Sequence, residues 1–252
     1  MSDPVKRFSS RVANYAKFRP TYPAALLDIL NSDCGLKHDS VIADVGSGTG
    51  ILSRLFLENG NTVFGIEPNT SMRLNAEQTL WNFTNFLSVP ATAESTTLRA
   101  GSIDLITAAQ SFHWFDQEKA KAEFARIVKR NGWVVLIWNE RRLDSTPFLR
   151  AYEKLLLRYG TDYGRVRHEN VEADIAAFYA PRAVKQKTLE NFQHFDFEAL
   201  KGRTRSASYT PEPGDLNFEP LYSELQEIFQ AHAVKGMVTV EYDTKVYYGR
   251  LR

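Results

Sequence analysis

The sequence predicts an α/β fold, a mostly parallel sheet with helices on both faces, and three observations carry that expectation. Short apolar runs at 41–45, 62–66, 85–89, 102–109 and 133–138 alternate with stretches whose apolar residues recur at helical spacing. Such alternation belongs to parallel strands joined by crossover helices, not to separate α and β domains. The runs are apolar throughout, as in Trp133-Val134-Val135-Leu136-Ile137-Trp138, the pattern of strands covered on both faces. Finally, 252 residues with 43% hydrophobic and 24% charged content suffice for one large core with a cap or insertion. Residues 1–252 therefore read as a single domain.

The same composition excludes several functions. A formal net charge of +1 leaves no electrostatic footprint for nucleic acid or an anionic membrane. The single cysteine, Cys34, rules out an internal disulfide framework and a Cys-rich metal site, and reads as a small filler. The first residues, MSDPVKRFSS, lack an apolar signal core, and no apolar run is long enough to span a bilayer. A cytoplasmic protein is the expectation.

Taken in chain order, the segment from Phe8 to Pro23 is aromatic and basic and is closed by Pro20 and Pro23. Tyr15, Phe18 and Tyr22 suit a cover over a ligand, and Arg19 suits a bidentate pair with a carboxylate. The segment reads equally well as an arm that packs on the domain. Leu26, Leu27, Ile29 and Leu30 predict a helix that gives way to a loop at Cys34-Gly35. Val41–Val45 is the first strand, followed by Gly46-Ser47-Gly48-Thr49-Gly50 and a helix marked by Leu52, Leu55 and Phe56. Thr62–Ile66 is the second strand and ends on Glu67. Pro68-Asn69 opens a helix to about Leu80, and 85–89 forms a third strand closed by Pro90.

The loop Ala91-Thr92-Ala93-Glu94 follows, then a central fourth strand that runs into Gln110-Ser111-Phe112-His113. Apolar spacing predicts a helix from Gln117 to Lys129, stopped near Asn131-Gly132, before the fifth strand. Phe148, Leu149, Tyr152, Leu155, Leu156 and Tyr159 trace an amphipathic helix, and Val171–Ala180 a shorter one ended by Pro181. We read 140–183 as an inserted helical cap over the active edge of the sheet. Its Arg141, Arg142, Arg165 and Arg167 are candidates to hold an acidic substrate, or else a solvated face. Residues 185–196 predict a strand, 197–206 a short helix, and Leu221, Leu225, Ile228 and Phe229 another helix. The chain closes with strands at 237–242 and 245–248 around a turn at Asp243-Thr244.

The chemistry lies at 41–67, a strand–turn–helix–strand unit of βαβ length with an acid at its tip. Glycines let backbone approach a ligand, and the helix start offers unpaired N–H groups. A carboxylate about 20 residues on can accept from both hydroxyls of a ribose, so an adenosine-containing cofactor is expected. The third glycine comes one residue too early for the nicotinamide fingerprint, and Ile51 stands where that pattern wants glycine. No Lys-Ser/Thr pair follows, which excludes an ATP-type P-loop. Glu94 suits the amino group of an adenine, with the Ala93–Glu94 backbone at the ring edge. In open α/β sheets the ligand crevice lies beyond the carboxyl ends of the strands, which favours Gln110 and His113. His113 reads as a candidate catalytic base or as a structural histidine.

These stretches together resemble the class I S-adenosylmethionine (SAM) dependent methyltransferases of the type 11 group, nearest their small-molecule branch that includes trans-aconitate methyltransferase-like proteins. The matching pieces are RPTYP at 19–23, DVGSGTG at 44–50, GIEPN at 65–69, TAE at 92–94, AAQSFHWF at 108–115 and YDTKVYYGR at 242–250. The resemblance implies a Rossmann-like sheet of seven strands with a final antiparallel edge, and SAM as cofactor. It implies Asp44, Gly46 and Gly48 in the cofactor loop, Glu67 on the ribose, Ala93 and Glu94 at the adenine, and Gln110 near the sulfonium. It also implies Tyr15 and Arg19 closing the pocket. The tetrapeptide and Pro-Cys pair of the nucleic-acid branches are missing, so no nucleic-acid partner is expected. Methylation of a small-molecule metabolite at a carboxylate or hydroxyl oxygen follows. The alternatives are a protein that binds SAM without catalysis, and a nicotinamide-dependent oxidoreductase.

Overall fold

The sheet is built from β1 (Val41–Val45), β2 (Thr62–Ile66), β3 (Phe86–Val89), β4 (Ile103–Ala109), β5 (Val128–Arg141), β6 (Lys185–Phe195) and β7 (Val238–Gly249). A computed structural model describes residues 12–161, 163 and 171–251. The strands pair in the order β3-β2-β1-β4-β5-β7-β6, and the pairs among β1 to β5 are all parallel. Strand order therefore reverses between β1 and β4, which opens a crevice at their carboxyl ends. The antiparallel strand is β7, as expected of the last strand, but it is not the edge. It lies between β5 and β6, with β6 outermost.

Nine helices of the described residues surround the sheet: α1 (Val12–Phe18), α2 (Ala25–Cys34), α3 (Ile51–Glu58), α4 (Thr70–Thr79), α5 (Gln117–Ile127), α6 (Pro147–Tyr159), α7 (Val171–Tyr179), α8 (Phe197–Arg205) and α9 (Phe218–His232). Local chemistry sets their starts. Asn69, Asp116, Thr146 and Asp196 each accept a backbone N–H three residues on, which satisfies a donor the helix cannot. The period-2 alternation of the strands sorts side chains to two faces. Ala43, Val45, Ile106, Ala108, Val134 and Leu136 meet α5 and α7 on one face. Ile42, Val63, Leu105, Val135 and Ile137 meet α2, α3 and α4 on the other.

Two expectations about the second half are corrected. The helix over 117–129 stops at Ile127, and Asn131-Gly132 lies inside β5 instead of after a helix. There the register slips between the pairs Ile103↔Val128 and Leu105↔Trp133. Gly132 passes so close to β4 that a Cβ would sit 2.7 Å from Asp104 O. No turn occurs at Asp243-Thr244, because both residues are paired on each side, Asp243 with Glu140 and Glu190. β7 instead spans two cores: Val246 and Tyr248 lie in the sheet core, while Val238, Val240 and Tyr242 lie in a third cluster.

That third cluster, referred to below as the cap, takes in helices beyond 140–183. Helix α6 packs there with α8 and α9 through Leu149, Leu155, Leu156, Leu200, Leu221 and Leu225. Helix α7 does not join it; Ile175, Phe178 and Tyr179 belong to the sheet core. Of the candidate cations in this segment, Arg165 and Arg167 lie outside the described residues, as do Phe8–Arg11.

Candidate functional site

The loop after β1 takes its shape from glycine. Gly46, Gly48 and Gly50 have φ of +68°, +57° and +80°, the left-handed region that L side chains rarely adopt. At Gly46 the demand is also spatial, since a Cβ would stand 2.5 Å from Ser111 Cβ. Ser111 is fixed by donating from Oγ to Val45 O at 2.9 Å. The Gly48 N–H donates to Glu67 Oε2 (2.9 Å) and the Asn69 N–H to Oε1 (2.7 Å). The Glu67 carboxylate thus bridges the loop to the end of β2, and both oxygens keep a lone pair for a further donor. Burial raises its pKa above the ordinary value, against those two N–H groups.

Asp44 stands behind this loop and not on a cavity wall. It is 1% exposed. Its Oδ2 accepts from Ser53 Oγ at 2.6 Å and its Oδ1 from Thr107 Oγ1 at 3.0 Å, which ties β1 to α3 and β4. Burial pushes the carboxyl up to about 6, the hydroxyl donors opposing it.

Beside the loop, beyond the ends of β4 and β5, lies a cavity of about 580 Å³. Its walls include Tyr15, Arg19, Tyr22, Gln110, His113 and Trp114, the end of β5, and Tyr163, Arg203, Tyr209 and Tyr242 from the cap side. Tyr15, Arg19, Gln110 and His113, named from the sequence, are therefore gathered on one cavity, and Ile51 joins it to the glycine loop. Ala93 and Glu94 do not line it. Ala93 is buried in the sheet core, and Glu94 Oε1 accepts the Asp116 N–H at 2.9 Å.

Gln110 follows β4 in an unusual conformation, φ +57°. Such a backbone costs a non-glycine residue about 1–3 kcal/mol and persists where the surroundings over-determine it. Here Gln110 N–H donates to Ile137 O at 2.9 Å and Nε2 to Asn139 O at 3.0 Å. His113 occupies a short 3-10 turn, Phe112–Trp114, anchored by the buried Phe112 ring edge-on to Trp138 and Phe178.

The segment 18–22 crosses the cavity as a strap. Asn191 Nδ2 donates to Thr21 O at 2.7 Å, and Gln193 Nε2 reaches Phe18 O and Arg19 O at 3.4 Å each. Both come from the outermost strand, β6. Arg19 lies over the Tyr15 ring, 4.8 Å from its centroid, and donates from Nη2 to Ser206 O at 3.1 Å. Burial, and then the charge of Arg203, lowers the Arg19 pKa.

The other expected cations separate. Arg141 lines the cavity, bound through Nη2 to Glu153 and to Tyr163 OH. Arg142 is spent on Asp243 (2.7 Å) and Glu190 (3.1 Å) and does not line it. Sequence reasoning missed Arg203, Tyr209 and Tyr242. Arg203 stands in a basic run, KGRTR at 201–205, that reads as a solvated helix face, yet it is only 6% exposed.

Residues 43–136 match the family described as "Methyltransferase domain". An uncharacterized methyltransferase-like protein of Schizosaccharomyces pombe is 31% identical over 63% of this chain and 60% of its own length. An uncharacterized methyltransferase of the same organism is 26% identical over 89% of this chain and 88% of its own length. Over residues 43–136 the chain is thus similar to methyltransferases. The match spans less than two thirds of the first of those relatives. Among solved structures, a protein of Anaeromyxobacter dehalogenans assigned provisionally as a type II methyltransferase superposes with a TM-score of 0.71 at 20% identity, covering 93% of this chain and 98% of the other. Phosphoethanolamine N-methyltransferase 2 of Haemonchus contortus, in complex with SAM, gives a TM-score of 0.55 at 14% identity, covering 95% of this chain and 56% of the other. At these identities the likeness is one of fold. No described helix is long and apolar enough to cross a membrane.

Proposed function

We propose that the chain methylates a carboxylate or hydroxyl oxygen of a small acidic or hydroxylated metabolite, held between the sheet edge and the cap. The observation that carries this reading is the cavity of about 580 Å³, of ligand size, walled by arginine and aromatic side chains and contiguous with the glycine loop. SAM fits the residues beside it. Gly46 and Gly48 suit the methionine portion, Glu67 has lone pairs left for a ribose diol, and Ala93 with Glu94 suits the adenine. Arg19, whose buried Nε has no partner among the described residues, suits the methionine carboxylate over Tyr15. Bound there, SAM supplies an electrophilic methyl group on a sulfonium.

The work left to the protein is alignment and exclusion of water. Holding the acceptor oxygen in line can be worth about 7–11 kcal/mol. The segment 18–22, tied down by Asn191 and Gln193, walls part of the cavity and limits the water that reaches it. Tyr22 and Trp114 line the cavity with aromatic rings that suit a cation, and Gln110, on the same cavity, suits the sulfonium side. An acceptor carboxylate needs no base. A hydroxyl acceptor gives its proton to His113 on the cavity wall.

The test is transfer of tritiated methyl from SAM to acceptors in a metabolite extract, repeated with His113→Gln. Label is expected in the small acidic fraction. For a hydroxyl acceptor, His113→Gln lowers kcat by about 10²–10⁴-fold; for a carboxylate acceptor kcat stays within about threefold. SAM uptake with no label transferred to any fraction would mean a protein that binds SAM without catalysis. Tight NADH uptake with no SAM uptake would mean an oxidoreductase.

A further inference from the structure

We propose that Arg203, with Arg141, forms an anion subsite that holds a second, non-reacting carboxylate of the methyl acceptor. The inference rests on the function proposed above and adds to it the acceptor's class, a diacid or a hydroxy acid.

Charge pairing around the cavity leads there. Lys245 is matched by Glu140 at 2.9 Å and Glu172 at 3.2 Å. Arg141 is matched by Glu153. Arg19 and Arg203 have no carboxylate partner among the described residues. A guanidinium does not escape by losing its proton, so a buried one without a counter-charge carries a standing desolvation penalty. With the methionine carboxylate assigned to Arg19, Arg203 still lacks an anion. It is 6% exposed and lines the cavity.

Two further donors on this cavity lack an acceptor. Arg141 Nη1 and Trp138 Nε1 are buried without a hydrogen-bond partner, and both residues line the cavity. The Arg141 side chain is 8% exposed. Native interiors rarely leave such donors unmet, and one anion bound between Arg141 and Arg203 would satisfy the guanidinium donor.

The subsite is also braced. Arg203 Nε donates to Tyr242 OH at 3.2 Å, and Tyr242 OH donates to Gln193 Oε1 at 3.0 Å. Gln193 in turn reaches Phe18 O and Arg19 O on the strap. Tyr242 and Gln193 are thus positioning residues, linking the guanidinium for the acceptor to the segment that carries Arg19. The turnless course of β7 has a function in this arrangement. Tyr242 lies just before the Asp243-Thr244 step, where β7 passes from cap to sheet.

The test uses the intact chain and isothermal titration of S-adenosylhomocysteine, then of glutarate, glutaramate and inorganic phosphate into the protein with and without S-adenosylhomocysteine. Wild type is expected to take glutarate more tightly than glutaramate or phosphate. Arg203→Gln should weaken glutarate by about tenfold or more, with Arg203→Lys in between, while S-adenosylhomocysteine affinity stays within about threefold. Tyr242→Phe should raise KM for an acidic acceptor and leave kcat unchanged, a split that general destabilisation would not produce. Retained far-UV circular dichroism in Arg203→Lys guards against a folding artefact. An unchanged glutarate affinity in Arg203→Gln, no glutarate uptake by wild type, or phosphate bound in preference would each overturn the carboxylate subsite. Failure of wild type to take S-adenosylhomocysteine would overturn the methyltransferase reading instead, and is read separately.

Discussion

The two walls of the site are built by opposite means. The cofactor side, the loop that Ile51 joins to the cavity, is a run of backbone: three left-handed glycines, two N–H groups and one carboxylate, all within 46–69. The cap-side wall is a convergence of side chains, Arg19, Arg141, Arg203 and Tyr242, brought from the N-terminal strap, β5, α8 and β7. The first is specified locally and serves a donor molecule that does not vary. The second depends on how the cap packs, so its chemistry can change without touching the loop. Substitutions on the two sides should therefore fail in different ways.

The largest effect is expected from Gly46→Ala. The residue needs φ +68°, and an added Cβ would strike Ser111, which Val45 O holds in place. A left-handed penalty of about 1–2 kcal/mol and an overpacking penalty of about 1–3 kcal/mol add up to a loss of SAM affinity on the order of 100-fold. Titration should show that loss with glutarate binding to the protein alone little changed. Equal losses for both ligands would mean that the two walls are not separable.

Gly202→Ala probes the other wall, with a smaller effect. A Cβ there would sit 2.1 Å from the Phe18 ring, so the strap has to lift from α8. Phe18 adjoins Arg19, and Gly202 adjoins Arg203. Overpacking of about 1–3 kcal/mol should therefore weaken S-adenosylhomocysteine and glutarate together, each by about tenfold. A loss confined to one ligand would show that strap and subsite are not mechanically linked.

The same contrast explains what could be read from the sequence. Alternating strands and helices, the glycine loop and Glu67 are near-neighbour patterns, and the sheet order and loop geometry agree with them. The stop of α5 was misplaced because Asn131-Gly132 carries the signature of a helix end. Gly132 is instead required by the close approach to β4 at a register slip. The turn at Asp243-Thr244 was inferred from turn-forming residue types, which pairing on both sides overrides. Arg203 was invisible because its importance lies in what surrounds it. A basic residue in KGRTR differs from a solvent-facing one only after α8 has docked. Similarly, Phe195, Val238 and Val240 give no sign along the chain that they pack with α6 and not with the sheet core.

The finest separation concerns Asp44, which faces the cofactor loop from behind. Its pKa is raised by burial from 3.8 to about 6, so near neutral pH it is a buried anion whose oxygens meet Ser53 and Thr107. The folded-state value lies above the ordinary one. Its contribution to stability is therefore complete below about 3.8 and is lost as pH rises through about 6. The charge that costs stability should favour a sulfonium. As pH rises through about 6, SAM should gain affinity relative to the uncharged thioether of S-adenosylhomocysteine. The gain is on the order of fivefold, about 1 kcal/mol at an effective dielectric near 20. Asp44→Asn keeps the shape and can still bond both hydroxyls, so in that variant the ratio of the two affinities should be flat from pH 5 to pH 8, roughly the range over which a group near 6 titrates. Equilibrium dialysis of both ligands at each pH measures the ratio directly. A ratio that rises equally in wild type and variant would assign the titration to another group and leave Asp44 as a tie between strands. That outcome would still separate the loop from the cap, because no substitution at Asp44 is expected to change glutarate affinity.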